Sequence, residues 1–256
     1  MNFWNLLVMN PMINLLLWIY DLIANFGLSI VLFTVLVRML TYPLTVQQMK
    51  GTSAMQDLQK SKEWQEIQKK HKGDKQKIQQ EQAKFMQEKG VNPLGSCLPT
   101  LIQFPIIIGL YQAIIRALAT IPLQMVDLSG HIYPFINAAG FLPINNKFLW
   151  MDLSQPERLY IFGVGIPVLA ILVVITTYLQ SRMMTPPSQP GDQSAQMAQS
   201  MNTIMPLMMG WLALTFASGL SVYFVTSNLV SIAQYAAMGK LNWRNLIPTR
   251  KATASK

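Results

Sequence analysis

Arg38 is the residue of this sequence whose placement most needs a chemical reason. It stands in the apolar run NFGLSIVLFTVLVRMLTYPLT (25–45), which contains no acid. Arginine keeps its charge at any physiological pH, so deprotonation cannot relieve its burial. At the centre of a membrane helix it costs about 2.5–3.5 kcal/mol on translocon scales. The side chain must reach the nearby cytoplasmic boundary, pair, or face water. Thr34 at i−4, Thr41 at i+3 and Thr45 at i+7 share its helical stripe. A second stripe runs through Tyr223, Ser227, Ser231 and Gln234, with Asn228 beside it. Thr176, Thr177 and Gln180 end another apolar run, and Gln103 and Gln112 lie in a fourth. Hydroxyls in membrane helices often bond their own backbone, so any single stripe could be packing. Together with Arg38 the stripes describe a water-containing cavity within the bilayer, open toward the cytoplasm. A cation there attracts an anion: a substrate carboxylate, a lipid phosphate or an acidic stretch of a passing polypeptide.

Other chemistries find little support. Cys97 is the sole cysteine, which permits no internal disulfide and no cysteine-based zinc site. His71 and His131 have no catalytic neighbourhood in sequence, and both read as solvated loop residues. Gly-x-Ser-x-Gly, His-Glu-x-x-His, a P-loop and paired intramembrane carboxylates are all missing. The expectation is therefore a protein that is not an enzyme and uses neither metal nor cofactor.

The elements that would position these residues follow from composition. Of 256 residues, 51% are apolar and 12% charged, against about 25% charged in an ordinary soluble domain. The net charge of +9 suits either nucleic-acid binding or a membrane protein with basic cytoplasmic parts. Ten lysines fall in residues 50–89, and five Lys/Arg without an acid fall in 239–256. Long apolar runs separate the two, which is the pattern of a polytopic membrane protein and argues against DNA binding.

A spanning helix takes about 20 mostly apolar residues, and five spans are expected. They are 27–45, 96–118 (interrupted by Pro99 and Pro105), 158–181, 201–217 and 219–238, with Ser218-Gly219 as the turn between the last two. The last two are short, which implies tilt or a locally thin bilayer. An odd count puts the termini on opposite sides. Sixteen Lys/Arg, in the 46–95 block, the 182–200 loop and the 239–256 tail, then share one side. The positive-inside rule makes that side cytoplasmic and leaves residues 1–26 and 119–157 outside. Residues 1–26 lack a basic n-region and a cleavage pattern, so they read as an uncleaved interfacial helix beginning near Pro11. The expected fold is all-α, with five transmembrane helices around a hydrophilic groove and a cytoplasmic helical hairpin, in a bacterial plasma membrane.

The 46–95 block is rich in Gln, Lys and Glu, and His71-Lys72-Gly73-Asp74 divides it into two helices of about 20 residues each. It is either a solvated spacer or a docking arm for a partner or nascent chain. Lys60, Lys62, Lys69, Lys70 and Lys72 would present its charge, and Arg250 and Lys251 that of the tail. A basic tail also suits anionic ribosomal RNA. Methionines 183, 184, 197, 201, 205, 208 and 209 cluster near the second loop. They read as ordinary packing or as adaptable contacts with varied apolar sequences.

Four segments in order carry a family resemblance: the Arg38 run, NPLGSCLPTLIQFPIIIGLYQAI (92–114), FLWMDLS (148–154) and SGLSVYFVTSNLVSIAQ (218–234). The chain resembles the bacterial YidC insertases of the YidC/Oxa/Alb superfamily over about residues 11–240, and NPLG-x-CLP-x-LIQ-x-P is the most specific segment. The resemblance implies insertion and folding of nascent membrane proteins, alone or beside the Sec translocon. Ribosome, signal recognition machinery and membrane lipids would be the other partners. It implies a groove arginine at Arg38, a polar contact at Thr34, a groove glutamine at Gln180 and an aromatic pair at Tyr223-Phe224. Ser227 and Gln234 join the groove through their shared stripe. Ser96 stands where a second glycine is common, Phe224 where Trp or Tyr is frequent, and Lys60 where a proline usually follows Leu-Gln. With no large domain ahead of the first span, the chain looks like the short form of the family. A small-solute or anion transporter is the competing reading, with Arg38 as its anion site. No internal repeat supports it, and a charged hairpin has no evident purpose in it.

Overall fold

The computed structural model describes residues 3–71, 74–90, 93–118, 122–134, 136, 140, 142–184, 193–239 and 241. The chain divides into two compact units, residues 39–108 and the remainder.

The larger unit begins with a turn of π-helix, Asn5–Met9, that runs into α1 (Asn10–Ile23). Together they make a 19-residue helix long and apolar enough to cross a membrane. Pro11 lies just past the π-helical turn and has no N–H to donate back into it. Ala24 then ends the helix in the left-handed conformation, its N–H bonding the Tyr20 carbonyl. α2 (Phe26–Leu40) follows, opened by the Asn25 side chain accepting from Leu28 N–H at 3.1 Å. A single helix over 27–45 was the expectation. Instead α2 stops at Leu40, and α3 (Tyr42–Lys60) starts beyond Thr41. Pro43 has no N–H to give back to the preceding turn, which accounts for the break.

The smaller unit holds α3, α4 (Lys62–Lys70), α5 (Lys75–Glu88) and the first part of α6 (Pro93–Ala117). The hairpin thus has three helices, not two. Ser61 is extended and accepts from Trp64 N–H at 3.3 Å, so it caps α4 and separates it from α3. Asp74 caps α5 in the same way. Trp64 and Phe85 pack together with ring centroids 6.4 Å apart, and both are buried. In α6, Pro99 and Pro105 sit inside one continuous helix and do not interrupt it.

The rest of the larger unit is α7 (Pro122–Ser129), strands β1 (Lys147–Phe148), β2 (Met151–Asp152), β3 (Leu159–Ile161) and β4 (Val164–Ile166), then α8 (Val168–Met184), α9 (Gln193–Thr215) and α10 (Ser218–Ala237). β1 pairs with β2 and β3 with β4, both antiparallel. The expectation of helix from 158 is therefore corrected. Residues 159–166 form a hairpin, and the helix starts only at Val168. β-Branched and aromatic residues flanking Phe162-Gly163 account for it, since both turn residues have positive φ (51° and 81°). The expected loop 182–200 is also shorter, because α8 reaches Met184 and α9 begins at Gln193. The turn before α10 is Phe216-Ala217, and Ser218-Gly219 is already its first helical turn.

Close approaches at glycines help set the packing. A Cβ on Gly210 of α9 would lie 2.3 Å from Val174 Cγ2 of α8. One on Gly27 of α2 would lie 2.1 Å from the Phe148 ring. The core of this unit includes Ile13, Leu16, Phe26, Ile30, Phe33, Ile114, Leu153, Val173 and Leu220.

Candidate functional site

The site is built where α2 meets α10. Arg38 lies in the last turn of α2, and its Nε donates to Ser227 Oγ at 2.8 Å, while Nη2 reaches the same oxygen. Ser227 is buried, and its carbonyl accepts from Ser231 Oγ at 2.8 Å. One turn along α10, Gln234 donates from Nε2 to the Arg38 carbonyl at 2.9 Å. The guanidinium and the end of its helix are thus held by two residues of one α10 stripe. Gln234 Oε1 is buried with no hydrogen-bond partner, so it is ready to accept from water or an amide.

The neighbouring α10 residue extends the polar layer. Asn228 donates to Thr176 Oγ1 at 3.1 Å and to Thr177 Oγ1 at 2.9 Å on α8. Residues 227 and 228 therefore link α2, α10 and α8 through side-chain hydrogen bonds. Gln180 is half-buried one turn further along α8. Thr34 is buried and its hydroxyl donates to the Ile30 carbonyl at 2.6 Å, so it serves its own helix. Tyr223 and Phe224 are 2% and 7% exposed, with ring centroids 5.6 Å apart. They form part of the packed interior one turn before Ser227. No Asp or Glu occurs in α2, α6, α8, α9 or α10. Chemically the arrangement is a fixed positive charge bordered by hydroxyls and amides, with no nucleophile–base pair.

Of the docking lysines, Lys62, Lys69 and Lys70 are exposed on α4. Lys60 ends α3, with its side chain outside the described residues, and Lys72, Arg250 and Lys251 lie outside them altogether.

Sequence reasoning missed a second polar cluster. His131 Nδ1 is 2.7 Å from Asn10 Oδ1, and Asn14 bonds the His131 carbonyl (2.8 Å) and the Tyr133 N–H (2.6 Å). Arg116 Nε is 3.2 Å from Asp127 Oδ2 and its Nη1 3.4 Å from His131 Nε2. His131 is thus no solvated loop residue, and the cluster ties α1 to α6 and the segment after α7. Asn10 and Asn14, one turn apart in an apolar helix, were the available signal. The other omission is Glu157, 7% exposed. It accepts from Trp150 Nε1 at 2.8 Å and from Leu169 N–H at 2.9 Å in the first turn of α8.

Comparison with known proteins gives a consistent result. The family model described as "60Kd inner membrane protein" matches residues 18–244. The membrane protein insertase MisCA of Bacillus subtilis is 36% identical over 238 residues, covering 91% of this chain and 78% of the relative. The inner membrane protein ALBINO3 of Arabidopsis thaliana chloroplasts is 35% identical over 220 residues, 84% of this chain and 47% of that one. A crystal structure described as an active YidC insertase superposes with a TM-score of 0.59 at 28% identity. The match covers 91% of this chain and just under half (46%) of that chain.

Proposed function

Because the chain belongs to the 60Kd inner membrane protein family, we propose that it is an insertase and chaperone for nascent membrane proteins, working from the cytoplasmic side. The observation that carries the mechanism is Arg38 held by Ser227 and Gln234 within apolar helices that contain no acid. In this reading the five apolar helices surround a hydrated groove, and a client's short acidic tail enters it, drawn by the guanidinium. Water in the groove shortens the hydrocarbon the tail must cross. Asn228, Thr176, Thr177 and Gln180 line the polar path, and Gln234 Oε1 accepts from a passing backbone N–H. Tyr223 and Phe224 meet the apolar segment when α10 shifts to uncover them. Burial of about 20 apolar residues in lipid then drives the step, and no nucleotide is required. The α4 lysines and the basic tail collect the ribosome, signal recognition machinery or Sec translocon on the cytoplasmic face. α2, at 15 residues, is shorter than a straight crossing needs, which favours a bilayer thinned around it.

The test is insertion into liposomes that contain only this protein. The client is a single-span polypeptide with a short acidic N-tail, scored by protease protection. Insertion by wild type and Arg38→Lys, with loss in Arg38→Ala, is the expected result. Equal insertion by all three removes charge attraction from the mechanism and leaves hydration. Absence of insertion by the folded wild type across several clients sinks the autonomous insertase, and anion flux in the same vesicles would then favour a transporter.

A further inference from the structure

The two β-hairpins before α8 share an unusual feature. Each turns on a large apolar residue in the left-handed conformation: Leu149 at φ 54° and Phe162 at φ 51°. That conformation strains a side-chain-bearing residue, and glycine or asparagine avoids most of the strain. Neither side chain repays that cost by packing, because Phe162 is fully exposed and Leu149 is 73% exposed. Tyr160, Val164 and Trp150 beside them are also exposed. The strain thus persists at the two positions where folding alone would select a smaller or more polar residue.

Their location identifies what covers them. Residues 159–181 carry no charge and are bracketed by Arg158 and Arg182. Only 168–184 is helix, 17 residues or about 26 Å, short of the roughly 30 Å hydrocarbon layer. The apolar run continues through the hairpin, whose three-residue strands reach about 10 Å further at ~3.3 Å per residue. Glu157 fixes the geometry, because one carboxylate holds both Trp150 of the first tip and the first turn of α8. Aromatic residues beside an exposed arginine match the chemistry of the headgroup layer, where ring bodies bury and polar edges stay wet.

We propose that the tips Leu149-Trp150 and Phe162 form a lipid anchor that enters the interfacial layer of the bilayer where α8 begins. The inference rests on the membrane setting and not on insertase activity. The occupant is lipid, in preference to a second copy or another protein.

Nitroxide labels test it in proteoliposomes holding this protein alone. With Cys97→Ser as background, labels go on Phe162→Cys, Leu149→Cys and, as a solvated reference, Gln80→Cys. The expected result is a ratio of oxygen to nickel-chelate accessibility several-fold higher at 149 and 162 than at 80. Equal ratios at all three positions place the tips in water and overturn the proposal. Exclusion of both reagents at the tips means protein contact and overturns it too. Phe162→Asn, which tolerates the left-handed turn, is expected to unfold in detergent no earlier than the parent. A clear fall in melting temperature would make Phe162 a packing residue and refute the anchor.

Discussion

Ser227 decides where the Arg38 charge sits, because two guanidinium nitrogens converge on its one oxygen. Ser227→Ala leaves the charge and removes its anchor. A hydrogen bond to a charged group is worth about 1.5–3 kcal/mol, so thermal unfolding in detergent should occur several degrees earlier. Insertion of an acidic-tailed client should weaken yet exceed that of Arg38→Ala, since attraction survives while aim is lost. Equal insertion by the two variants would show that position, not charge, is what matters. Gln234→Leu tests the other contact, and the expected loss is again partial because only the hydrogen bond to the Arg38 carbonyl is removed. At this scale the sequence was informative in part. Arg38, Ser227 and Gln234 could be grouped because a charge in an apolar run needs partners and a helical stripe offers them. The resemblance implied a polar contact at Thr34, whereas its hydroxyl turns to its own backbone, as a threonine in a helix can. Glu157 was invisible for a different reason. Its partners are an indole seven residues back and an amide twelve residues ahead, and no local pattern predicts that geometry.

Helices and hairpins obey packing that single residues do not reveal. Gly210 lets α9 approach Val174 of α8 more closely than any side chain permits. Gly210→Leu should overpack that contact at about 1–3 kcal/mol, read as a lowered melting temperature, while Gly140→Leu, in open space, should not. Glu157→Ala should cost about 2–3 kcal/mol by leaving the Trp150 indole and the Leu169 amide unsatisfied, and Glu157→Gln should retain much of it. An equally stable Glu157→Ala would mean that water replaces the carboxylate. Apolar content marked the approximate positions of the long helices, because a run of twenty such residues has few other fates. Their ends were less legible. Pro43 stopped α2 earlier than hydropathy indicated, while Pro99 and Pro105 did not stop α6. The Phe162-Gly163 turn was hidden because a strand and a membrane helix present the same apolar letters.

On the scale of the whole molecule, the charge asymmetry yields a topology that can be read chemically. With Cys97→Ser as background, a membrane-impermeant thiol reagent added to intact cells should label Gly140→Cys and not Gln80→Cys. Inverted vesicles should give the opposite pattern, and labelling of both from one side would void the odd span count. Family membership was legible from four ordered segments. Separation along the chain also has a consequence in time. Arg38 and Ser227 stand 189 residues apart, and Gln234 is 196 from the arginine it holds. At roughly 5–20 residues per second, about 10–40 s of synthesis separate the arginine from its final oxygen. During that interval the newborn protein has a cation in α2 and no finished α10 to receive it.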